Sequence, residues 1–310
     1  YDKENVLSRP EYLKILSEHH KIIGITGTHG KTSTTALLSH IFHFNNLNVS
    51  YLYGGITTFN GIGGHYGDTD QPLILETDEA FNTFEKIKIS DLLVLNVDSD
   101  HLDYFKNLQN YKDAFYKVMN NVMDNLVINN DDQNIKSMKE LKKPVTYGTD
   151  ISADFRVLSP GNFIYENNKY EIKSDIIGDH FKSNMLGAII LALLNGIEIK
   201  DSLNAIESFA GVKRRIELIG ISNGVSIYDD YGHHPTEMEA TITALKQQSE
   251  NKLYVVFQPH RYTRTKEYFN LFKDSLELAD YAIVTDIYPA GESPIPGISS
   301  KNFEDGSIKY

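Results

Sequence analysis

The sequence predicts an α/β protein with two domains, the first of them built on a mostly parallel sheet. Short apolar segments alternate with helical ones, as in parallel sheets whose faces are covered by helices. The length of 310 residues suits two domains. A hydrophobic fraction of 41% beside a charged fraction of 23% is typical of globular chains. We place the boundary near Gly211, between a first domain over residues 1–211 and a smaller α/β domain over residues 212–310.

The first domain begins with a strand and a helix that are joined by a glycine-rich turn. The helix covers about residues 32–44, and a second, strongly apolar helix covers residues 180–194. Dense turn residues between positions 154 and 177 predict an antiparallel excursion at the edge of the sheet. Short β-branched or apolar runs predict the buried strands. These strands are residues 22–26, 49–53, 72–75 and 92–97.

The second domain repeats this alternation on a smaller scale. The dipeptide Asn223-Gly224 lies between two alternating segments and is a strong hairpin signal, so we predict a hairpin over residues 216–228. Helical and strand patterns then follow each other as in the first domain. These elements are a helix at 235–248, a strand at 253–257, a helix at 263–278 and a strand at 281–285.

Composition excludes several classes of protein. The chain contains no cysteine, so it has no disulfide framework, thiol nucleophile or thiolate metal site. A net charge of −12 argues against a nucleic-acid-binding protein, which would carry a basic balance. The longest apolar run, residues 185–194, is shorter than the roughly 20 residues that span a bilayer. We therefore expect a soluble cytoplasmic protein with no nucleic-acid partner and no membrane partner.

The sharpest motif is GTHGKT at residues 27–32, between the first predicted strand and the first predicted helix. Glycines let backbone N–H groups approach phosphate oxygens, and the N-terminus of the helix adds positive potential. Lys31 adds a full charge, and the Thr32 hydroxyl can bind Mg²⁺. The standard P-loop has a further glycine where this chain has Ile25. The strand-to-helix context still predicts a phosphate site.

Acidic side chains follow two later strands of the first domain. The carboxyl ends of parallel strands meet at one edge of a sheet, beside the phosphate loop. These side chains are therefore candidate magnesium ligands, with solvated acidic loops as the alternative. The first group comprises Glu76, Asp78 and Glu79, and the second comprises Asp98, Asp100, His101 and Asp103.

Three polar segments of the second domain are further candidates. The basic run at residues 213–215 either forms an exposed face or supplies an arginine that reaches a phosphate. His233 and His234 are adjacent, an arrangement that suits chelation of one metal ion poorly. Arg261 and Arg264 lie in a strand-to-helix turn, where they either bind a carboxylate or phosphate in bidentate fashion or form an exposed turn. The turn that holds the two histidines and the turn that holds the two arginines share one cleft if they lie at the same sheet edge.

Seven segments together resemble the Mur ligase family. They run through nearly the whole chain. Two of them, DDYGHHPTE at residues 229–237 and FQPHRYTRT at residues 257–265, favour the branch of the family that adds L-alanine. The other five are GTHGKTSTT at 27–35, LETDE at 75–79, NVDSDHLDYF at 96–105, GVKRR at 211–215 and DIYPAGESPIPG at 286–297.

The resemblance implies an ATP- and Mg²⁺-dependent ligase of peptidoglycan precursor synthesis. Such an enzyme joins L-alanine to the carboxylate of UDP-N-acetylmuramate through an acyl phosphate. Residues 1–211 would form the central P-loop ATPase domain, and residues 212–310 a shortened domain that binds the amino acid. The family's UDP-binding domain and the end of its last domain would lie outside this chain, which begins at Tyr1.

The resemblance also implies roles for individual residues. Asn184 would approach the adenine, Arg215 the phosphates and Asp230 the ribose. The remaining nucleotide-binding residues would be Gly27, Thr28, His29, Gly30, Lys31, Thr32 and Ser33. The metal ligands would be Thr32, Glu76 and His101, and the catalytic residues would be Lys31, His233, Arg261 and Arg264.

The chain departs from the family pattern at two places. Glu79 is followed by Ala80 and Phe81, where the family has serine and aspartate. His180 is followed by Phe181, where the family has asparagine. These departures concern hydrogen bonds of a loop and a contact to the adenine, and they leave the reaction unchanged.

Three other functions compete with this one. A ligase that attaches a recycled peptide to UDP-N-acetylmuramate shares some of the motifs. A P-loop nucleotide switch or kinase would explain Lys31 but leaves Arg261 and Arg264 without a role. A non-catalytic nucleotide-binding module would need only the phosphate loop.

Overall fold

The computed structural model describes residues 6–57, 61–98, 102–138 and 141–310. The chain divides into two compact units, the first of Tyr1–Ile176 with Phe181–Lys213 and the second of Ile177–His180 with Arg214–Tyr310. Among the described residues, no helix is both long and apolar enough to cross a membrane.

The first unit is built around β1 (Ile22–Thr26), a strand in which every residue is buried. Its neighbours β4 (Leu73–Glu76) and β5 (Asp91–Val94) run parallel to it. A strand this rich in isoleucine belongs at such a central position, because both faces of a parallel sheet are covered. The other strands are β2 (Ser50–Leu52), β3 (Gly64–His65), β6 (Asn125–Asn129), β7 (Val145–Gly148), β8 (Phe155–Ser159), β9 (Asn162–Tyr165) and β10 (Asn168–Glu171).

These strands form one sheet in the order β10-β9-β8-β7-β6-β5-β1-β4-β2-β3. The pairs from β8 through the centre to β2 are parallel, whereas β8, β9 and β10 pair antiparallel at one edge and β2 pairs antiparallel with β3 at the other. The predicted α/β class is confirmed, and so is the predicted antiparallel excursion at the sheet edge.

Helices cover both faces of this sheet. On one face Leu92 and Val94 of β5 pack in a cluster with Phe84 and Phe115. On the other face Leu93 lies so close to a helix that a Cβ on Gly187 would be 2.9 Å from it. The helices are α1 (Arg9–His19), α2 (Lys31–Phe44), α3 (Leu102–Phe105), α4 (Leu108–Asn120), α5 (Gln133–Lys136), α6 (Asp179–Leu194) and α7 (Ile199–Glu207), with a 3-10 helix at Ala80–Lys86.

The second unit has a sheet and a core of its own. Its sheet is parallel and three-stranded, in the order β13 (Tyr254–Phe257), β14 (Tyr281–Val284) and β15 (Ile308–Lys309). The predicted hairpin is confirmed as β11 (Glu217–Ser222) paired antiparallel with β12 (Val225–Asp229). The helices of this unit are α8 (Pro235–Gln248), α9 (Tyr262–Glu267) and α10 (Phe269–Glu277), with a 3-10 helix at Ser300–Phe303.

The single helix predicted over residues 263–278 is wrong. Two helices meet at Tyr268, whose backbone leaves the helical conformation at φ −106° and ψ 19°. The Tyr268 ring is buried and packs edge-on against His234 and Phe272. Burial of this large aromatic ring in the core accounts for the break, and such a tertiary contact is invisible to helical periodicity.

Candidate active site

The candidate phosphate loop is the turn at residues 27–30 that connects β1 to α2. Gly27 has φ 140° and Gly30 has φ 85°, values that favour glycine. The Asn96 side chain holds the loop from the neighbouring segment. Its Oδ1 accepts from the His29 N–H at 2.8 Å, and its Nδ2 donates to the His29 carbonyl at 3.0 Å. The loop backbone is therefore fixed by the protein itself.

Asn184, the predicted adenine contact, approaches this loop from α6. A Cβ at Gly30 would lie only 2.4 Å from Asn184 Nδ2, so any other residue there would displace the Asn184 amide. The Asn184 side chain is buried, and the adenine contact stays a prediction. Ser33 is half-buried in the first turn of α2.

The Lys31 ammonium is bound on three sides. It donates to the carbonyls of Gly27 at 2.6 Å and Thr28 at 3.1 Å. It also lies 3.0 and 2.9 Å from the two carboxylate oxygens of Glu79. Burial alone would lower the pKa of Lys31, but nearby carboxylates, chiefly that of Glu79, raise it above its ordinary value. Lys31 is therefore a charged ammonium in a buried ion pair.

Thr32 and Glu76 provide the oxygen atoms expected of a magnesium site. Thr32 Oγ1 donates to Glu76 Oε1 at 2.8 Å, and the Gly54 N–H donates to Glu76 Oε2 at 2.6 Å. Hydroxyl and carboxylate oxygens are the hard ligands that Mg²⁺ prefers, so this donor set fits the ion. His101, the other predicted metal ligand, lies outside the described residues.

The second unit gathers basic and aromatic side chains on the segments that follow its strands. The His233 and His260 rings are 6.1 Å apart, and the His260 ring stacks on Tyr288 at 5.6 Å. Arg261 has φ 72°, which is rare for a residue other than glycine, and its N–H donates to the Tyr288 carbonyl at 2.8 Å. Arg264 follows one turn later in α9. Backbone strain of this kind clusters at functional sites.

Asp230 and Arg215 contact other residues of the second unit. Asp230 Oδ2 accepts from the Ile216 N–H at 2.8 Å, and its Oδ1 accepts from the Gly232 N–H at 2.7 Å. Burial raises the pKa of Asp230 above its ordinary value. Arg215 Nη1 lies 3.8 Å from Glu237 Oε1. Asp230 thus shapes the turn after β12, and the contacts predicted for it and for Arg215 with the nucleotide stay predictions.

Two side chains of these sites escaped the sequence analysis: Asn96 clamps the loop, and His260 stacks within the basic cluster. Glu79, which the sequence analysis names as one of several candidate magnesium ligands, pairs with Lys31. Asn96 and His260 both come shortly after a strand of a parallel sheet, and that position would have singled them out. The position of Glu79 after a strand places it beside the phosphate loop, but the sequence holds no signal that it pairs with Lys31.

The protonation state of His260 is a testable property of the basic cluster. Burial lowers the pKa of His260, and Arg264, His233 and Arg261 lower it further, against the opposing effect of Glu292. His260 is therefore expected to stay neutral below the ordinary histidine pKa of about 6.5. The measurement is a pH titration of the histidine ring signals by NMR. Replacing Arg264 with methionine removes a positive charge and is expected to move the His260 midpoint upward.

The matched control for this titration is Lys266→Met, which removes a positive charge from an exposed position of the same helix. We expect the His260 midpoint to stay where it is in this variant. The same midpoint in the wild type and in Arg264→Met would contradict the described cluster. The His260 signal is assigned by its loss in His260→Gln.

Two family profiles match the chain, one on each side of residue 213. The Mur ligase middle domain matches residues 25–192, and the glutamate ligase domain of Mur ligases matches residues 214–306. The first match alone covers more than half of the chain.

Curated relatives and a solved structure agree with these profiles. The chain is 38% identical to the UDP-N-acetylmuramate–L-alanine ligase of Dictyoglomus turgidum, over 98% of this chain and 69% of that protein. It is also 38% identical to the ligase of the same name from Caldicellulosiruptor bescii, over 96% of this chain and 68% of that protein. The UDP-N-acetylmuramate–alanine ligase of Thermotoga maritima superposes with a TM-score of 0.75 at 27% identity, over 90% of this chain and 65% of that one.

The chain thus spans about two thirds of the length of these relatives. The predicted family and the predicted enzyme class are confirmed by the profiles, and the predicted L-alanine branch is confirmed by the relatives. The chain belongs to the Mur ligase family, whose members are ATP-dependent ligases that form amide bonds.

Proposed function

We propose that the protein joins L-alanine to the carboxylate of UDP-N-acetylmuramate, in an ATP-dependent step of peptidoglycan precursor synthesis. The observation that carries this proposal is the phosphate loop, in which charged Lys31 is followed by Thr32. The Thr32 hydroxyl lies 2.8 Å from the Glu76 carboxylate. The relatives that bear this activity in their names are 38% identical over nearly the whole chain. In this proposal residues 1–211 bind ATP, and residues 212–310 bind the amino acid.

The phosphate loop serves the first half of this reaction. The carboxylate of UDP-N-acetylmuramate attacks the γ-phosphate of ATP and forms an acyl phosphate, while ADP leaves. Lys31 and the loop N–H groups bind the negative charge that develops on the phosphate oxygens. Mg²⁺, held by Thr32 and Glu76 with His101 as a further ligand, would neutralise part of that charge as a Lewis acid. Asn184 would contact the adenine.

The basic cluster of the second unit serves the other half. Arg261 and Arg264 present planar guanidinium groups that bind carboxylates in bidentate fashion. The amine of L-alanine attacks the acyl carbon only after it has lost a proton, so the site needs a base. His260 is a neutral imidazole because its pKa is lowered, and His233 lies beside it. One of these two rings accepts the proton, and phosphate then leaves.

The basic cluster also separates this function from that of a nucleotide switch or kinase. A nucleotide switch or kinase uses the phosphate loop but needs no pair of arginines with two histidines in a second unit. The net charge of −12 supports our proposal that the protein has no nucleic-acid partner. We propose that it works in the cytoplasm without a membrane partner, in keeping with a chain that contains no cysteine. Positive charge at Lys31, Arg261 and Arg264 supplies the local attraction for anionic substrates.

The test is a ligation assay on the protein expressed from its complete reading frame. The reaction contains ATP, Mg²⁺, UDP-N-acetylmuramate and one radiolabelled amino acid, either L-alanine, L-serine or glycine. We expect label to move onto the UDP-sugar, fastest with L-alanine, with one ADP released for each amide bond formed. ATP hydrolysis that ignores both L-alanine and UDP-N-acetylmuramate would contradict the proposal and favour a nucleotide switch.

A further inference from the structure

Tyr111 on α4 connects the phosphate loop to the carboxylate that pairs with Lys31. Its side chain is fully buried, and its hydroxyl lies 3.0 Å from Thr28 Oγ1 and 3.4 Å from Glu79 Oε1. The ring of Tyr111 packs against Phe105 and Phe115 at centroid distances of 5.0 and 5.1 Å. The hydroxyl is therefore held in place by a ring that the core fixes.

The Tyr111 hydroxyl has a choice of hydrogen-bond partners. A phenol carries one proton, so Tyr111 donates to Thr28 or to Glu79, but not fully to both. Thr28 is bound independently of Tyr111, because its Oγ1 accepts from the Asp98 N–H at 2.8 Å and lies 3.2 Å from the Asp98 carbonyl. The Tyr111 hydroxyl can therefore turn away from Thr28, and Thr28 keeps its hydrogen bonds to Asp98.

Glu79 is the group that gains from the Tyr111 hydrogen bond when a phosphate binds. The three bonds of Lys31 run to Glu79 and to two loop carbonyls, so Lys31 has to weaken some of them to reach a phosphate oxygen. The Glu79 side chain is only 1% exposed, so the lost ion pair is compensated by protein donors, of which the Tyr111 hydroxyl is one. A buried carboxylate that loses its cation is costly unless other donors remain.

We propose that Tyr111 is a positioning residue for Lys31. When Lys31 turns toward a phosphate, the Tyr111 hydroxyl donates a hydrogen bond to the Glu79 carboxylate. This hydrogen bond offsets part of the lost ion pair at the buried carboxylate and lowers the free energy of the ATP-bound state. This inference rests on the proposed ATP-binding role of the loop. It assigns a function to a residue that lies 83 positions from Thr28 in the sequence and outside every motif.

The first test is the affinity of Tyr111→Phe for ATP, measured by titration calorimetry on the chain as it stands. Phenylalanine keeps the ring and its packing, so we expect the melting temperature to change little. Loss of one buried hydrogen bond in the bound state is expected to weaken ATP binding about three- to tenfold. The matched control is Tyr116→Phe on the same helix, a half-buried position for which we expect unchanged affinity.

The second test asks whether Tyr111 acts through Glu79. In a Glu79→Gln background the buried group carries no charge, so removal of the Tyr111 hydroxyl is expected to change ATP affinity less than about twofold. Such non-additivity is the signature of a coupled pair. Packing effects of the ring would be the same in both backgrounds.

The outcomes distinguish this inference from the proposed function. Absence of ATP binding by the unaltered chain would overturn both. ATP binding that is equal in the wild type and Tyr111→Phe would overturn only the role of Tyr111. An equal loss of affinity with Glu79 and with Gln at that position would also overturn it, because the effect would then be structural.

Discussion

Replacing Lys31 with methionine is expected to lower kcat for ligation at least about 10³-fold. Removal of one preorganised hydrogen-bond donor to a developing oxyanion typically costs about 10²- to 10³-fold, and Lys31 supplies a full charge as well as donors. Methionine keeps much of the side-chain length, so packing around the loop changes little. The measurement is L-alanine-dependent release of ADP by the complete enzyme.

The same substitution has a second, separable effect on stability. Glu79 is left as a buried carboxylate without its cation, since the Lys31 and Glu79 side chains are 14% and 1% exposed. Breaking a buried ion pair on one side costs about 3–5 kcal/mol of unfolding free energy. The double variant Lys31→Met with Glu79→Gln removes the stranded charge, and we expect it to recover much of this stability in urea unfolding. It should not recover ligation.

An exposed lysine provides the control for both measurements. Lys14 lies on the surface of α1, so Lys14→Met removes the same charge without touching the loop. We expect wild-type kcat and wild-type stability. Near-normal ligation by Lys31→Met would exclude the phosphate loop as the site of the reaction.

Much of the fold follows from local sequence pattern. Both ends of the strand Ile22–Thr26 are predicted correctly, because a short β-branched run between polar segments is typical of a buried strand. The hairpin around Asn223 is equally local, since its turn residues determine its geometry. The break between the two helices at Tyr268 is different, because it depends on how that aromatic ring packs in the core of the second unit. Helical periodicity carries no information about such a partner.

The candidate site divides in the same way. Thr32 and Glu76 are predicted together because both follow strands that end at one sheet edge, and in the structure they are hydrogen-bonded. The pairing of Lys31 with Glu79 and the contact of Tyr111 with Thr28 join residues that are 48 and 83 positions apart. The contact of Tyr111 depends on how helix α4 packs on the sheet, and the pairing of Lys31 depends on how the segment after β4 folds back to the loop. Local sequence pattern determines neither.

Replacing Glu76 with glutamine is expected to raise the Mg²⁺ concentration for half-maximal ligation by about 10- to 100-fold. Losing even a supporting group of a metal site typically costs that much, and Glu76 is proposed to bind the ion directly. Glutamine is isosteric, and its amide oxygen can still accept from the Thr32 hydroxyl or the Gly54 N–H that Glu76 binds. The fold should therefore survive while the hard anionic ligand is lost.

The test is a Mg²⁺ titration of L-alanine-dependent ADP release, with EDTA-treated enzyme as the starting point. The matched control is Glu85→Gln, the same change of carboxylate to amide at a residue of the first unit that pairs with Lys117. We expect its Mg²⁺ response to equal that of the wild type. If Glu76→Gln also responded like the wild type, Thr32 and Glu76 would form a structural hydrogen bond only, and the metal would bind elsewhere. If instead its apparent Mg²⁺ affinity fell while ATP affinity measured without Mg²⁺ stayed constant, the defect would lie in the ion site, because the loop that binds phosphate would be intact.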